Sequence, residues 1–223
     1  LEYKKIVNNN TIINIYDDTI IIKGVNELKG TNFFVASDRI EAGSYILLAC
    51  SVKESDVTIE NINYEYLEEV IKTVEQLGVK VQVEDQKIRI IKKYPIKGIY
   101  KKASYFPSFP TDLQQILSVT CLKCITPSVI YDEVYPNRLS HVKEIKKATG
   151  KICVKNNKIY IDYSNIKSSV FYSHDLRCGF SCIILSLNAD DVCFIENFEL
   201  VLRGYEKIFD KLSNLNINVE IVG

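Results

Sequence analysis

Hydrophobic residues recur in this chain first with the period of a helix and then with the pattern of strands. Between residues 64 and 77 apolar side chains return every three or four positions, the spacing that forms one stripe of an amphipathic helix. These residues are Leu67, Val70, Ile71, Val74 and Leu77. Two β-branched bursts follow, at 79–83 and 87–91, with a polar turn between them. The pattern therefore predicts a helix followed by two strands.

The same order of elements is predicted three times. When Ile40, Leu113 and Leu176 are aligned, an apolar helical run follows each of them, and the tripeptide Ile-Glu-Asn comes nineteen residues later in the first and third units. Second helices are predicted at 64–77, 139–148 and 204–215. Closing strands are predicted at 79–83 and 87–91, at 151–154 and 158–161, and at 217–222. Each unit reads as helix, strand, helix, strand, strand.

Three such units cannot bury their apolar faces alone, so we expect them to pack around a pseudo-threefold axis. The predicted fold class is α/β. The units span 38–103, 104–172 and 173–223. Residues 1–37 lie outside the repeats and carry strand-like bursts at 11–15 and 19–22 beside a turn region at 24–30. We expect residues 1–37 to be the end of a preceding, similar domain.

Polar residues mark the predicted helix starts. Asp38-x-x-Glu41 and Thr111-x-x-Gln114 both have the capping-box pattern. Threefold packing would bring the helix starts together, and the positively polarised ends of helices favour anions. The starts are therefore candidates for binding an anionic ligand.

Arginine is scarce and unevenly placed. The chain has five arginines against 23 lysines, and four of the five, Arg39, Arg138, Arg177 and Arg203, lie in short polar motifs. A guanidinium group holds a carboxylate or phosphate through two parallel hydrogen bonds, a geometry that lysine cannot copy. Each arginine could instead form an ion pair that caps a helix. The four together favour a site for an anionic ligand.

Composition excludes some classes of partner. Acidic and basic residues balance at 28 each, and no lysine-rich cluster with interleaved aromatics occurs, so we expect no nucleic-acid partner. No apolar run approaches the ~18 residues of a membrane span, and no signal-peptide pattern opens the chain. We therefore expect no membrane partner and a cytoplasmic location. The absence of methionine and the start Leu-Glu-Tyr favour a piece of a longer polypeptide.

The cysteines are seven in number and irregularly spaced, which indicates reduced thiols. Cys121 and Cys124 form a C-x-x-C, but no second pair or nearby histidine completes a zinc site. We therefore expect no metal and interpret these two residues as buried structural cysteines.

Five motifs follow one another between about residue 20 and residue 222. They are 37–43 (Ser-Asp-Arg-Ile-Glu-Ala-Gly), 109–114 (Phe-Pro-Thr-Asp-Leu-Gln), 137–142 (Asn-Arg-Leu-Ser-His-Val), 175–177 (Asp-Leu-Arg) and 203–208 (Arg-Gly-Tyr-Glu-Lys-Ile). In this order the chain resembles the carboxyl-terminal half of the UDP-N-acetylglucosamine 1-carboxyvinyltransferases, a group of enolpyruvyl transferases. Segment 109–114 is similar to this group rather than to its shikimate-pathway relative, which shares the fold.

This resemblance implies a fold, a reaction and a missing partner. The fold would be an inside-out α/β barrel of three repeated helix–strand units, with the active site in the cleft beside a similar domain. The enolpyruvyl group of phosphoenolpyruvate would move to the 3-hydroxyl of UDP-N-acetylglucosamine, the first committed step of peptidoglycan synthesis. No metal or organic cofactor takes part. The amino-terminal half of such enzymes holds the proton-donating cysteine, so this chain would be inactive alone.

The resemblance also implies roles for individual residues. Asp112 would contact the sugar hydroxyl and act as general base, and Val134 would line the nucleotide-sugar site. Arg138 and Arg177 would bind the phosphoenolpyruvate carboxylate, and Arg203 its phosphate. Deprotonating an alcohol requires a base within hydrogen-bond reach, and a substrate with two anionic ends requires several fixed cations, so these residue types suit the reaction.

Three further acidic residues receive supporting roles by the same resemblance. Asp175 would orient the reacting groups, and Asp38 and Glu41 would belong to the network that closes the cleft. A plain helix cap is the competing interpretation of Asp112, since Thr and Asp are both common at helix starts.

Pro136, His174 and Leu202 depart from the family pattern, which usually has an acidic, a small hydroxyl and an acidic residue there. These departures support an alternative function, a non-catalytic module that keeps nucleotide-sugar binding without turnover. A purely structural repeat domain is a third hypothesis. It predicts no anion affinity and leaves the arginine placement unexplained.

Overall fold

The computed structural model describes residues 13–16, 19–24, 26–27, 29–30 and 32–222. These residues belong to two compact units that divide after residue 36. The first unit contains an antiparallel hairpin of β1 (Ile13–Tyr16) and β2 (Thr19–Ile22). The strand predicted at 19–22 is confirmed. The strand predicted at 11–15 is confirmed from residue 13 onward, and its first two residues lie outside the described ones.

The second unit alternates helices with short strands. Its helices are α1 (Arg39–Ser51), α2 (Glu68–Gln76), α3 (Gln114–Thr120), α4 (Ser140–Ala148), α5 (Leu176–Leu187), α6 (Glu199–Leu202) and α7 (Ile208–Asn214). Its strands are β3 (Ser55–Glu60), β4 (Lys80–Glu84), β5 (Lys87–Lys92), β6 (Tyr100–Ala103), β7 (Ser128–Asp132), β8 (Ile152–Lys155), β9 (Lys158–Ile161), β10 (Val170–Tyr172) and β11 (Phe194–Glu196). No helix in the described part of the chain is both long enough and apolar enough to cross a membrane.

The strands of the second unit form three separate sheets. The first is antiparallel with the order β3–β5–β4. The second has the order β6–β7–β9–β8, in which only β6 and β7 run parallel, and the third is the parallel pair β10–β11. A helix joins the members of each parallel pair, α3 in one and α5 in the other, as parallel strands require a crossover. Among the described residues no sheet closes on itself.

Helices α1, α3 and α5 form the centre of the unit. All of α3 is buried, and the buried stretches of α1 and α5 run from Ala42 to Ser51 and from Cys178 to Leu185. The three helices pack against one another, and each also packs against strands of its own sheet. A helix that is apolar all round belongs in a core. The helices therefore lie inside and the sheets lie around them.

A close approach between α1 and the start of α3 depends on a glycine. A Cβ atom at Gly43 would lie 2.5 Å from Cδ1 of Leu113, the last residue of the 3-10 turn before α3. The absence of a side chain at Gly43 lets the two helices come together near their first turns.

The outer helices bury a single face, as the periodicity predicts. All five apolar residues of the stripe at 64–77 are buried. This stretch folds as a 3-10 turn, Tyr64–Tyr66, followed by α2. The second helix of the middle unit, predicted at 139–148, is α4 at Ser140–Ala148. The closing strands of the first two units are confirmed to within one residue.

Some expectations differ from the structure. The strand predicted at 217–222 is wrong: no strand forms there, and residues 218–222 are exposed. β-Branched residues favour a strand only where a neighbouring strand and a buried face receive them, and no described strand pairs with this segment. The short strands β6 and β10 were not predicted, because three or four residues carry too little periodicity.

The α/β class is confirmed by these mixed sheets and helices. The threefold inside-out barrel, and the unit boundaries at 38–103, 104–172 and 173–223, stay predictions.

We expect Gly98→Ala to destabilise the fold. A Cβ at this position would lie 2.1 Å from the carbonyl oxygen of Pro127 and 2.3 Å from that of Thr126, and backbone cannot move aside as a side chain can. Overpacking of this kind costs about 1–3 kcal/mol or more. Urea denaturation followed by circular dichroism measures the loss. Gly150→Ala is the matched control, because no atom lies within 4 Å of its added Cβ. Equal stability of the two variants would contradict this account of the packing.

Candidate active site at the first turns of the buried helices

Asp112 occupies the 3-10 turn that precedes α3. The turn runs from Thr111 to Leu113 and follows Pro110, whose fixed φ suits the entry to a helix. The predicted capping box at this turn does not form, and among the described residues the Gln114 side-chain oxygen accepts no hydrogen bond. The Thr111 hydroxyl does not cap the helix but donates to the Asp132 carboxylate at 2.5 Å. The Asp112 side chain is left 38% exposed at the rim of the core.

Arg138 reaches Asp112 from the loop after β7. Asp132, the buried last residue of β7, accepts hydrogen bonds from the backbone N–H groups of Val134 and Tyr135 at 2.9 and 3.0 Å. Aspartate commonly reverses a chain in this way. The turn brings Nη1 of Arg138 to 2.7 Å from Oδ1 of Asp112, and the guanidinium lies over the Tyr135 ring at 4.6 Å.

Arg177 reaches the same carboxylate from the first turn of α5. Its Nη2 lies 3.6 Å from Oδ2 of Asp112, an ion-pair distance longer than a hydrogen bond, and its side chain is 12% exposed. Its Nη1 donates to the hydroxyl of Tyr205 at 3.1 Å. One carboxylate thus faces two guanidinium groups, one from the loop after β7 and one from the first turn of α5. A single negative charge cannot balance both, so the cluster keeps a net positive charge that suits an anion.

Asp175 is the N-cap of α5 and is half-buried. Its Oδ1 accepts the backbone N–H groups of Arg177 and Cys178, each at 3.0 Å, and its Oδ2 accepts Ser140 Oγ at 2.6 Å. The Gln115 side-chain amide, on α3, donates to the same carboxylate at 3.2 Å. Burial raises the pKa of Asp175, but these hydrogen bonds outweigh it and hold the pKa below its ordinary value. Asp175 therefore joins α5 to α3 and α4.

Three other predicted site residues, Asp38, Glu41 and Val134, form no hydrogen bond or ion pair with Asp112 among the described residues. Asp38 is exposed and caps α1, accepting the N–H groups of Ile40 and Glu41 at 2.7 and 3.2 Å. Glu41 forms an ion pair with Lys211 at 2.6 Å. Val134 is half-buried in the turn after β7.

Arg203 differs from the other site arginines. It lies exposed at the end of α6, and within the described residues no hydrogen bond or ion pair holds its side chain. Its guanidinium is therefore available to a ligand. It stands two residues before Tyr205, which contacts Arg177.

Comparison with known protein families shows which family the chain belongs to. The profile described as EPSP synthase (3-phosphoshikimate 1-carboxyvinyltransferase) matches residues 9–212. The chain belongs to the EPSP synthase family. Within this family it is 37% identical over 206 residues to UDP-N-acetylglucosamine 1-carboxyvinyltransferase 2 of Streptococcus mutans, covering 92% of this chain and 49% of that protein. It is also 37% identical over 204 residues to the UDP-N-acetylglucosamine 1-carboxyvinyltransferase of Streptococcus pneumoniae, covering 91% and 48%. The chain thus spans about half the length of these relatives, and the match lies in their carboxyl-terminal half.

Two solved structures, of an enolpyruvyl transferase and of an EPSP synthase, share this fold. The enolpyruvyl transferase NikO from Streptomyces tendae superposes with a TM-score of 0.75 at 17% identity, over 83% of this chain and 44% of that one. EPSP synthase from Acinetobacter baumannii superposes with a TM-score of 0.69 at 18% identity, over 96% and 53%. At such identities the likeness concerns the fold alone.

The sequence analysis missed several residues that contact side chains of the candidate site. Tyr205, Ser140 and Gln115 all contact the site arginines or Asp175 across long stretches of chain. Ser140 and Tyr205 lie inside motifs that carry the resemblance, so their position in those motifs is the signal that could have found them. Gln115 directly follows such a motif and carries no comparable signal.

The His174 side chain pairs with Glu144, and its role there is structural. Its Nε2 lies 2.9 Å from the carboxylate of Glu144, which is almost fully buried and also receives Lys147 Nζ at 2.6 Å and the backbone N–H of Tyr172 at 2.8 Å. Burial raises the pKa of Glu144, but these hydrogen bonds hold the pKa below its ordinary value. This departure from the family pattern thus stabilises the junction between α4 and β10.

Cys121 lies in the 3-10 turn Cys121–Lys123, and Cys124 follows it. Both side chains are buried, as predicted. In the described part of the chain no three His, Cys, Asp or Glu side chains are grouped as metal ligands would be.

We expect Asp175→Ala to cost on the order of 3 kcal/mol at pH 7, because the cap is lost and Ser140 and Gln115 lose a charged partner. Asp38→Ala is the matched control: it removes a cap that accepts two backbone N–H groups but no side chain, and should cost ~1 kcal/mol. Urea denaturation measures both. Equal losses would contradict the supporting role of Ser140 and Gln115.

The pH dependence follows from the depressed pKa of Asp175. A carboxyl whose folded pKa lies below its ordinary value of 3.8 stabilises the fold fully above that value and loses the contribution as pH falls through the folded pKa. The stability difference between the native chain and Asp175→Ala should therefore shrink as the pH is lowered below 3.8.

Proposed function

We propose that this chain forms one wall of the active site of an enolpyruvyl transferase that acts on UDP-N-acetylglucosamine and phosphoenolpyruvate. The observation that carries the proposal is the meeting of Asp112 with Arg138, from the loop after β7, and Arg177, from the first turn of α5. A helix cap needs no such convergence, whereas a base beside an anionic substrate does. The names of the relatives, carboxyvinyl and enolpyruvyl transferases, support the same chemistry.

The choice of acceptor rests on the curated relatives. Identity is 37% to the UDP-N-acetylglucosamine 1-carboxyvinyltransferases of two streptococci. The acceptor proposed is therefore the nucleotide sugar rather than a shikimate. The reaction would serve peptidoglycan and cell-wall synthesis.

In the proposed reaction Asp112 takes the proton of the sugar 3-hydroxyl. The freed oxygen bonds to C2 of phosphoenolpyruvate, and a proton is added at C3. Loss of a proton from C3 then re-forms the double bond as the C2–O bond to phosphate breaks, so inorganic phosphate leaves and the enolpyruvyl ether remains. Arg138 and Arg177 would hold the carboxylate, and Arg203 the phosphate, through charge-assisted hydrogen bonds.

The ion pairs of Asp112 mark a site that rearranges when it fills. In the described structure the Arg138 guanidinium is engaged by Asp112 at 2.7 Å. A substrate carboxylate would compete for this guanidinium and leave an Asp112 oxygen facing the sugar hydroxyl. Asp175, held by four hydrogen bonds, would orient the first turn of α5 during this exchange. Val134, Asp38 and Glu41 would line or close the cleft.

An amino-terminal half would supply the opposite wall, because the chain spans about half of its curated relatives. The proton donor and the phosphate-binding lysine would lie there, and this chain would be inactive by itself. A non-catalytic nucleotide-sugar-binding module is the second candidate. It is favoured by His174, whose imidazole is engaged by Glu144 in place of the small hydroxyl of the family pattern.

We expect Asp112→Asn to lower phosphate release from phosphoenolpyruvate by about 10²–10⁴-fold, the contribution of a general base. The assay mixes this chain with a supplied amino-terminal half and both substrates. Asp56→Asn is the matched control. Asp56 forms an exposed pair with Arg89 on the β3–β5–β4 sheet, so this variant should leave the rate unchanged. Folded halves that bind the sugar but release no phosphate would contradict the transferase and leave the binding module.

We expect Arg138→Lys to weaken phosphoenolpyruvate binding to the assembled halves by roughly tenfold, since lysine loses the two-pronged grip. Isothermal titration calorimetry measures the dissociation constant. Arg89→Lys breaks an equally short arginine–carboxylate pair outside the site and should have no effect. A similar weakening in both variants would point to general charge rather than to a site.

A further inference from the structure

Tyr205 lies in the core and contacts both α1 and α5. It is 1% exposed, and its ring stacks on Phe180 of α5 with centroids 4.5 Å apart. Its hydroxyl lies 2.9 Å from Oγ of Ser44 on α1 and 3.1 Å from Nη1 of Arg177 on α5. Burial raises the pKa of Tyr205, so the phenol is protonated at neutral pH and has one hydrogen to donate.

The direction of these hydrogen bonds is set by counting donors. Ser44 Oγ donates its single hydrogen to the Ile40 carbonyl at 2.7 Å. The Tyr205 hydroxyl must then donate to Ser44 Oγ, and its own oxygen is left to accept. Arg177 has no acceptor and can only donate. The hydrogen bonds therefore run from Arg177 to Tyr205, from Tyr205 to Ser44, and from Ser44 to the Ile40 carbonyl. Each donated hydrogen has one acceptor.

We infer that Tyr205 is a positioning residue that orients the Arg177 guanidinium toward the site. Its hydroxyl engages Nη1, so Nη2 is the nitrogen that faces Asp112, at 3.6 Å. This inference deepens the proposed function and rests on it for the role of Arg177 as an anion ligand. The orienting contact itself stands on geometry alone.

Tyr45 shows what a buried tyrosine does here without such a partner. Its ring meets the same Phe180 ring edge-on at 5.3 Å, and its buried hydroxyl has no hydrogen-bond partner among the described residues. Packing against Phe180 therefore does not require the Tyr205 hydroxyl. The two tyrosines form a matched pair in which one hydroxyl reaches a site arginine and the other does not.

The test compares Tyr205→Phe with Tyr45→Phe in the full chain labelled with ¹⁵N-arginine. Five arginines give five Nε–Hε signals, and Arg177→Lys identifies the one from Arg177. We expect Tyr205→Phe to move and broaden the Arg177 signal while the amide spectrum stays folded, and Tyr45→Phe to leave it in place. An unmoved Arg177 signal in folded Tyr205→Phe would overturn the inference.

A second variant covers the case in which Tyr205→Phe does not fold. Ser44→Ala removes the acceptor of the Tyr205 hydrogen and leaves the ring intact, so the hydroxyl should turn and shift the Arg177 signal. No shift in folded Ser44→Ala would also overturn the inference.

Phosphoenolpyruvate titration separates this inference from the proposed function. In the protein assembled with its amino-terminal half, we expect Tyr205→Phe to raise the dissociation constant roughly tenfold, as loss of a charge-assisted hydrogen bond would. A moved Arg177 signal with no binding to any variant would keep Tyr205 as a positioning residue and reject the proposed function. Native affinity in Tyr205→Phe would overturn the positioning role in binding.

Discussion

The mutual burial of α1, α3 and α5 is the constraint on which the rest of the structure depends. A helix without a solvent-facing side must be covered all round, and these three cover one another while the sheets cover the remainder. Packing at this closeness joins their first turns. Leu113 packs closely against Gly43, which has no side chain, and the Gln115 amide donates to the Asp175 carboxylate. Arg177 donates to the Tyr205 hydroxyl, which contacts Ser44 on α1.

Unsatisfied N–H groups and positive dipole ends accompany every helix start. Here two of the three starts are capped by aspartates, Asp38 and Asp175, and the third carries Asp112 beside two guanidinium groups. The same features that stabilise the helices therefore concentrate charge at one end of the core. An anionic substrate would find donors held in place by packing rather than by loops, which limits the reorganisation needed in the reaction.

Local pattern accounts for what could be predicted from the sequence. The stripe at 64–77 and the cap Asp38 depend on neighbours within four residues, and both are confirmed. The alternation at 217–222 was misleading, because a strand requires a partner that local pattern does not specify.

The site was predictable only as far as its motifs reach. Asp112, Arg138 and Arg177 were named from motif resemblance, and the structure brings them within ion-pair distance. The groups that hold them, such as Tyr205 and Gln115, act across the fold, 28 and 60 residues from their partners. Such contacts follow from packing and not from periodicity. The catalytic roles remain proposals that rest on this geometry and on kinship.

The most direct test of the central claim follows the five arginine Nε–Hε signals of the assembled protein during titration with phosphoenolpyruvate. If arginines from the loop after β7, the first turn of α5 and the end of α6 form one anion site, the signals of Arg138, Arg177 and Arg203 will shift together and fit one dissociation constant. The signal of Arg89, which pairs with Asp56 on the β3–β5–β4 sheet, will stay in place. Shifts that fit different constants, or an equal shift of Arg89, would contradict the account.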